Sequence, residues 1–457
     1  MTIVLKSFNI YSYKGKLFIM VILKKVFILG YWLIICCICY LFFGNNSQWM
    51  IYMSMLTTII IVYINFKLDK KRFTYTTVLL LYTIVTQFGL VIPYALFGKN
   101  VLSEYSDWTL KFLSSPYLAK SVFLGNIAVI VFTLAKGIAM LKPQQTKNNY
   151  SIYKWTNSVD SKRMYIAGIS LLTLVFFYFV FNILTGGTAL VGTYEMYMKS
   201  SAYNNSIYAY ILILFYVGTI YIASAGKIME HKFGWFIWLI IAVFLAVNGN
   251  KGEFMYSLLA VIGMKGIEGK KISFKLFLII GIILFILIPS ITFLRDIGIA
   301  GNLGSAKLKF MDSFLEMGMQ IRTSVYTLED LAANRISTLH GASYYRPILN
   351  FIPFLKGPVA TLELKNTYLG YGYNQVIESY WNFGIIGPIV FYGILGYILS
   401  RIENKVMDRE KLAFIGTVIC ILINATRNYW AFVPGQLIIV TIIYVVVRKT
   451  KIIKHTQ

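Results

Sequence analysis

Long apolar runs recur along this chain from one end to the other, and they decide its fold class before any motif is considered. A bilayer is crossed by about 20 apolar residues in a helix. Such runs lie near 26–43, 50–67, 74–97, 118–141, 164–184, 205–226, 233–248, 253–264, 276–294, 383–400, 412–426 and 435–448. Of 457 residues, 58% are hydrophobic and only 13% charged, where a soluble domain carries about 25% charged residues. The expected fold is all-α, a polytopic transmembrane bundle of about 12 spans with a large extracytoplasmic loop.

The net charge of +25 invites a nucleic-acid reading, and the position of the charges excludes it. With the N-terminus inside, 29 of the 43 Lys and Arg residues fall in segments on the cytoplasmic side and 14 on the other. Acidic residues divide 7 inside and 11 outside. An excess of Lys and Arg in short loops sets the orientation of a membrane protein. The charge therefore reports topology and contact with anionic membrane lipid. Both termini are expected in the cytoplasm. The first apolar run follows Lys14, Lys16, Lys24 and Lys25, but it is too long for a signal peptide and is read as a retained span. Cys36, Cys37, Cys39 and Cys420 all lie in spans, away from any loop where a disulfide would help.

Three regions follow: 1–294 with nine spans and short loops, 295–382 as one large extracytoplasmic loop, and 383–457 with three spans and a cytoplasmic tail. Residues 142–163 read as a solvated connector between sub-bundles. The 295–382 loop far exceeds the roughly 12–15 residues beyond which an irregular connection is functional or disordered. Its Leu, Ile, Phe and Tyr content argues for structure, and it is the expected catalytic region. Within it, Ala306–Gln320 has helical amphipathic spacing, suited to lying on the membrane or capping the bundle.

The chain has no phosphate-binding glycine loop, no dinucleotide fingerprint and no His/Cys cluster with metal spacing. No cofactor and no metal are expected, so the energy must come from a gradient or from the substrate. An activated, lipid-linked sugar pyrophosphate is a substrate of the second kind. The loop carries Arg295, Arg322, Arg335 and Arg346, and one histidine, His340. Guanidinium groups bind phosphate oxygens in pairs, and the same arginines could equally pair with Asp296, Asp312, Glu316, Glu329 and Asp330. A neutral histidine could deprotonate an acceptor hydroxyl. Flanking Arg335 and Arg346 would hold His340 neutral, so His340 is the expected base, with Glu378 orienting the acceptor. Lys251 and Glu253 sit in the tight turn Asn248-Gly-Asn-Lys-Gly-Glu253 between two short spans. Glu378 and Asn382, four residues apart, share one face if that stretch is helical.

Three features, in this order, carry a resemblance. They are the Gly249-Asn-Lys-Gly252 turn between short spans, the arginine-seeded outer loop, and Glu378-Ser-Tyr-Trp-Asn-Phe-Gly-Ile-Ile-Gly387 leading into the next span. Together they resemble the O-antigen and capsule repeat-unit polymerases of the Wzy type. Lys251 stands where that family often has arginine, and Arg346 and Gly357 reproduce an Arg-x10-Gly spacing found in some relatives. The resemblance implies an inverting glycosyltransferase that moves a growing glycan from undecaprenyl pyrophosphate to the next lipid-linked repeat. The residues read above are the candidates for that reaction: His340, Arg295 and Glu378 as catalytic residues, and Arg322, Arg335, Arg346, Lys251 and Asn382 for substrate contacts. A chain-length regulator is an implied partner; nucleic acid is not. A flippase for the same substrates and an O-antigen ligase share the general layout. The large loop, for which a flippase has no evident use, favours the polymerase.

The charge split makes a direct prediction. A reporter fused after Ser337 is active only outside the cytoplasm, and one fused after Gln145 only inside. Activity of the Ser337 fusion in the cytoplasm would reverse the topology.

Overall fold

The computed structural model describes residues 2–70, 72–102, 110–141, 158–191, 194–205, 207–226, 231–269, 312–363, 373–405 and 408–450, with 286, 289, 290 and 293. Among the described residues every regular element is a helix. The spanning part runs α1 (Thr2–Phe43), α2 (Ser47–Leu68), α3 (Tyr75–Phe88), α4 (Val91–Phe97), α5 (Leu118–Leu141), α6 (Ser158–Leu184), α7 (Tyr208–Ala225), α8 (Lys232–Val247) and α9 (Lys251–Ile267). The loop region contributes α10 (Asp312–Gly318), α11 (Ile321–Ala332), α12 (Ala342–Leu349) and α13 (Gln375–Phe383). The chain returns through α14 (Ile386–Glu403), α15 (Arg409–Arg427) and α16 (Val433–Lys449).

Seven of these helices are long and apolar enough to cross a membrane, and α3 with α4, bent by 53°, forms a broken span or a re-entrant loop. The expected spans near 233–248, 253–264 and 412–426 are helices too, but α8 and α9 have 16 and 17 residues, and α15 carries Glu410 and Arg427. The expected span 276–294 and the first half of the amphipathic stretch 306–320 lie outside the described residues. The described half of that stretch, α10, stops at Gly318 instead of running to Gln320. It caps the bundle: a Cβ on Gly318 would overlap the backbone of Gly89 and Leu90 at the α3–α4 bend, and Leu315 and Met319 are buried.

The bundle is organised around α5, which packs on α14 along one side and on α1 and α2 along the other. Glycines let backbones meet, as small residues do at helix contacts in membranes. A Cβ on Gly396 of α14 would overlap the Phe132 carbonyl of α5, and Gly168 of α6 faces Gly218 of α7. Helix α15 runs among α3, α7, α9 and α16. Helices α1 and α16 turn large apolar side chains outward, among them Phe27, Leu41, Ile442 and Val446.

The expected span 118–141 carries a buried charge. Lys136 of α5 is buried, and its Nζ donates to Asp69 Oδ2 at 2.7 Å and to Thr77 Oγ1 at 3.0 Å. Thr74 also donates to Asp69 (2.9 Å), and Glu403 beside them accepts the Thr76 backbone N–H (2.6 Å) and hydroxyl (2.8 Å). This network ties α2, α3, α5 and α14 at the end of the bundle opposite the 312–382 region. Removing one partner of a buried ion pair strands the other charge, which costs about 3–5 kcal/mol. Lys136→Met should therefore lower thermal stability in detergent sharply. Lys136→Met with Asp69→Asn should recover most of the loss; equal damage in both variants would show that the charges are not coupled.

Candidate active site

Helix α13 is buried on its polar face as well as its apolar one. Gln375, Glu378, Ser379 and Asn382 recur at helical spacing and all are buried, while Phe383 is exposed and Tyr380 half-buried. Local sequence fixes both ends. Asn374 Oδ1 caps the start by accepting Val376 N–H at 2.9 Å. The helix stops at Gly384, whose φ of +59° is a left-handed conformation that glycine adopts without strain. Gly387 then packs on the Ser379 carbonyl, where a Cβ would overlap. The Asn-Phe-Gly-Ile-Ile-Gly motif thus folds α13 back against the start of α14.

The polar face of α13 meets several other segments. Glu378 Oε2 accepts Gln375 Nε2 at 2.8 Å and the Trp430 backbone N–H at 3.0 Å. Gln375 Nε2 also donates to the Asn428 carbonyl at 3.0 Å. Asn382 Nδ2 donates to Ser343 Oγ of α12 and to the Glu378 carbonyl, both at 2.7 Å. Gln87, on the last turn of α3, donates to Asn374 Oδ1 at 2.8 Å. Gln375 Oε1, Asn374 Nδ2 and Asn382 Oδ1 are sealed from solvent and have no hydrogen-bond partner, a condition that costs a buried polar group about 1–3 kcal/mol. Aromatic rings flank the cluster. Tyr373 stacks on Tyr429 with centroids 5.2 Å apart, and Tyr344 lies against Phe391 and Trp430. Glu378 lies outside the spanning segments, and burial pushes its carboxyl up to about 7 against the opposing hydrogen bonds of Trp430 N–H, Ser343 and Gln375.

The other expected site residues are spread more widely. His340 is exposed, in a left-handed turn (φ +46°) before Gly341. Its segment is tied to α13 through Leu339 N–H, which donates to the Trp381 carbonyl at 3.1 Å. Arg322 is buried on α11 with its guanidinium 5.7 Å from the Tyr326 ring. Arg335 is exposed and paired with Asp330 at 2.7 Å, the salt-bridge alternative open to it from sequence. Arg346 lies over the Tyr345 ring at 5.7 Å, and Gly357 fits against its guanidinium, which gives the Arg-x10-Gly spacing a physical meaning. Arg295 and the Lys251 side chain lie outside the described residues. The turn ahead of Lys251 is as tight as expected, with Gly249 at φ +78°. Glu253 does not face water: it is half-buried with Oε2 sealed from solvent.

Sequence reading missed Arg427. It ends α15, reaches Glu316 of α10 at 3.7 Å, and its charge acts on Glu253, Tyr82 and Tyr256. Its sequence signal is its place at the outer end of the apolar run 412–426. Gln87, Asn374, Gln375 and Ser343 carried no signal beyond their residue type, because only the fold brings them to Glu378.

A carboxylate among amides and hydroxyls, with stacked aromatic rings beside it, is chemistry for a hydroxyl-rich ligand. The apolar bundle beside it is that of a polytopic membrane protein. The profile of the O-antigen polysaccharide polymerase Wzy family matches residues 18–455, and the chain belongs to that family. It is a glycosyltransferase-type polymerase of repeat units for O-antigen or capsule, acting on lipid-linked oligosaccharide in the membrane. Protein CapE of Staphylococcus aureus is 24% identical over 380 residues, covering 81% of this chain and 84% of that protein. No solved structure matches the chain.

Glycine positions test this geometry. Gly387→Ala should displace α13 and abolish polymerisation with the protein still in the membrane. Gly393→Ala, whose Cβ would stand 3.4 Å from Val131, should be tolerated. Long glycan chains made by Gly387→Ala would separate the α13–α14 fold from activity.

Proposed function

We propose that the polar face of α13 is where the acceptor sugar is bound and activated, on the extracytoplasmic side of the bacterial inner membrane. The Lys/Arg asymmetry supports that orientation, with both termini cytoplasmic. The donor is a glycan on undecaprenyl pyrophosphate, and the acceptor is a hydroxyl of the next lipid-linked repeat. The acceptor oxygen attacks the anomeric carbon, whose bond to the pyrophosphate oxygen breaks with inversion. The hydroxyl proton passes to a base, and the pyrophosphate leaves with both bonding electrons on its carrier.

The observation that carries this reading is Glu378, a buried carboxylate poised near neutrality among amides with unused hydrogen-bonding capacity. A base works best with a pKa near the working pH. The geometry favours reversing the roles expected from sequence: Glu378 takes the proton, and His340, exposed on the neighbouring turn, contacts the outer part of the glycan. Gln375 and Asn382 orient the acceptor. The pyrophosphate needs cations, and Arg427 and Arg322 are the arginines held within the packed end of the bundle, with Arg295, Arg346 and Lys251 the further cations for the same anion. Arg335, spent on Asp330 at the surface, is left to contact glycan. The region 295–382 acts as the catalytic unit between the 1–294 and 383–457 spans, and a chain-length regulator protein is the partner expected at its outer face.

Purified protein supplied with lipid-linked repeats tests the assignment. Glu378→Gln should lose chain extension by 100-fold or more, within the roughly 10²–10⁴-fold range of general base catalysis, while still binding donor. Arg427→Lys should weaken donor binding, because lysine cannot bind the pyrophosphate oxygens in pairs. Normal extension by Glu378→Gln would overturn the proposal.

A further inference from the structure

Helix α12, unlike the buried α13, turns apolar side chains outward. Ser343 and Pro347 are buried, whereas Tyr345 and Ile348 are exposed. The chain then makes a closed turn. Asn350 Oδ1 accepts the Gly357 N–H at 2.9 Å, and Asn350 Nδ2 donates to the Gly357 carbonyl at 3.1 Å. This two-bond clasp leaves Phe351-Ile-Pro-Phe-Leu-Lys356 projecting as a single-turn helix, Pro353–Leu355, with a short lead on each side. Phe354 at its tip is 95% exposed. A soluble protein rarely leaves so concentrated an apolar tip in water, and a rigid clasp around it would be pointless if the turn merely connected two elements.

The position of the turn says what covers it. The Phe351 ring reaches within 3.6 Å of the place a Cβ on Gly435 would occupy, on the first turns of α16. Helix α16 is a spanning helix whose outward flank, including Ile438 and Ile442, is exposed apolar surface. The tip therefore stands beside the loop-side end of a span and continues its lipid-facing surface. Cations mark the base: Arg346 lies against Gly357 at the clasp, and Lys356 is exposed next to it. Apolar and aromatic residues inside with Lys and Arg at the rim is the pattern of segments seated at the boundary between headgroups and acyl chains.

We propose that α12 and the 350–357 turn form a finger inserted among the acyl chains of the loop-side leaflet, with Arg346 and Lys356 at headgroup level. Because Ser343 of the same helix holds Asn382, the finger also fixes the height of the Glu378 cluster above the lipid. The proposal rests on the membrane-spanning reading of α16, and deepens the account of the site by tying it to bilayer depth.

The test is a diazirine amino acid placed at residue 354, or at exposed Ala333 as control, in full-length protein reconstituted into phosphatidylethanolamine–phosphatidylglycerol vesicles. After irradiation, mass spectrometry of the 354 peptide should show phospholipid adducts, and the 333 peptide should show water insertion. Water insertion at 354, or cross-links from 354 to another protein segment or a second copy, would overturn the finger. The readout needs no glycan synthesis, so its failure leaves the polymerase assignment standing, and loss of activity in Glu378→Gln leaves the finger untouched.

Discussion

The architecture at the loop end depends on holding one carboxylate, Glu378, out of water. An ionisable group inside a bundle is tolerated only where partners or a cavity compensate its lost hydration. Here the partners come from separate stretches of chain: Gln375 on its own helix, the Trp430 N–H between α15 and α16, and Ser343 of α12. Gln87 reaches in from α3 to hold the helix cap. Satisfying Glu378 therefore sets the register of α3, α12, α13 and the α15–α16 link. Its place in the first turn of α13 adds the favourable field of the helix N-terminus.

The two ends of the bundle handle polar groups differently. At the opposite end the buried charge is matched: Lys136 with Asp69, Arg163 with Glu410, Lys265 with Glu268, and Arg409 donating to the Ala225 carbonyl at 2.7 Å. These contacts lock helix ends together. At the loop end, polar atoms of Asn374, Gln375 and Asn382 are sealed without partners. Sealed polar atoms without partners also occur at the opposite end, on Asn65 and His231, and what sets the loop end apart is that they gather along one helix beside Glu378.

The spans were legible because a bilayer imposes length and composition that a sequence displays directly. One tight turn was legible for a similar reason, with Gly249 in a left-handed conformation that few other residues adopt, whereas the break at Gly384 fell inside an expected span. The pairing of Glu378 with Asn382 followed from helical spacing alone. What could not be read was which distant segment would meet that face, since Gln87, Ser343 and Trp430 are separated from it by packing, not by pattern. The roles of the arginines were equally hidden, because a guanidinium on Asp330 and one buried on α11 look alike in a list of residues. The burial of Lys136 was missed because its position near the end of an apolar run reads as a charge at the interface.

A base must be identified by its ionisation as well as its position. With the carboxyl of Glu378 at about 7, the proton is held below neutrality and lost above it, so the active ionised form accumulates as pH rises. His340 is the competing base, and the two are separated by removing the histidine. The decisive measurement is the rate of chain extension by purified His340→Ala protein across pH 5.5–8.5, a range centred about the neutral point. The account predicts that the rate still rises through about 7 and levels off, as in the unaltered protein. Loss of the rise, or loss of extension at every pH, would place the base at His340 and contradict the assignment to Glu378.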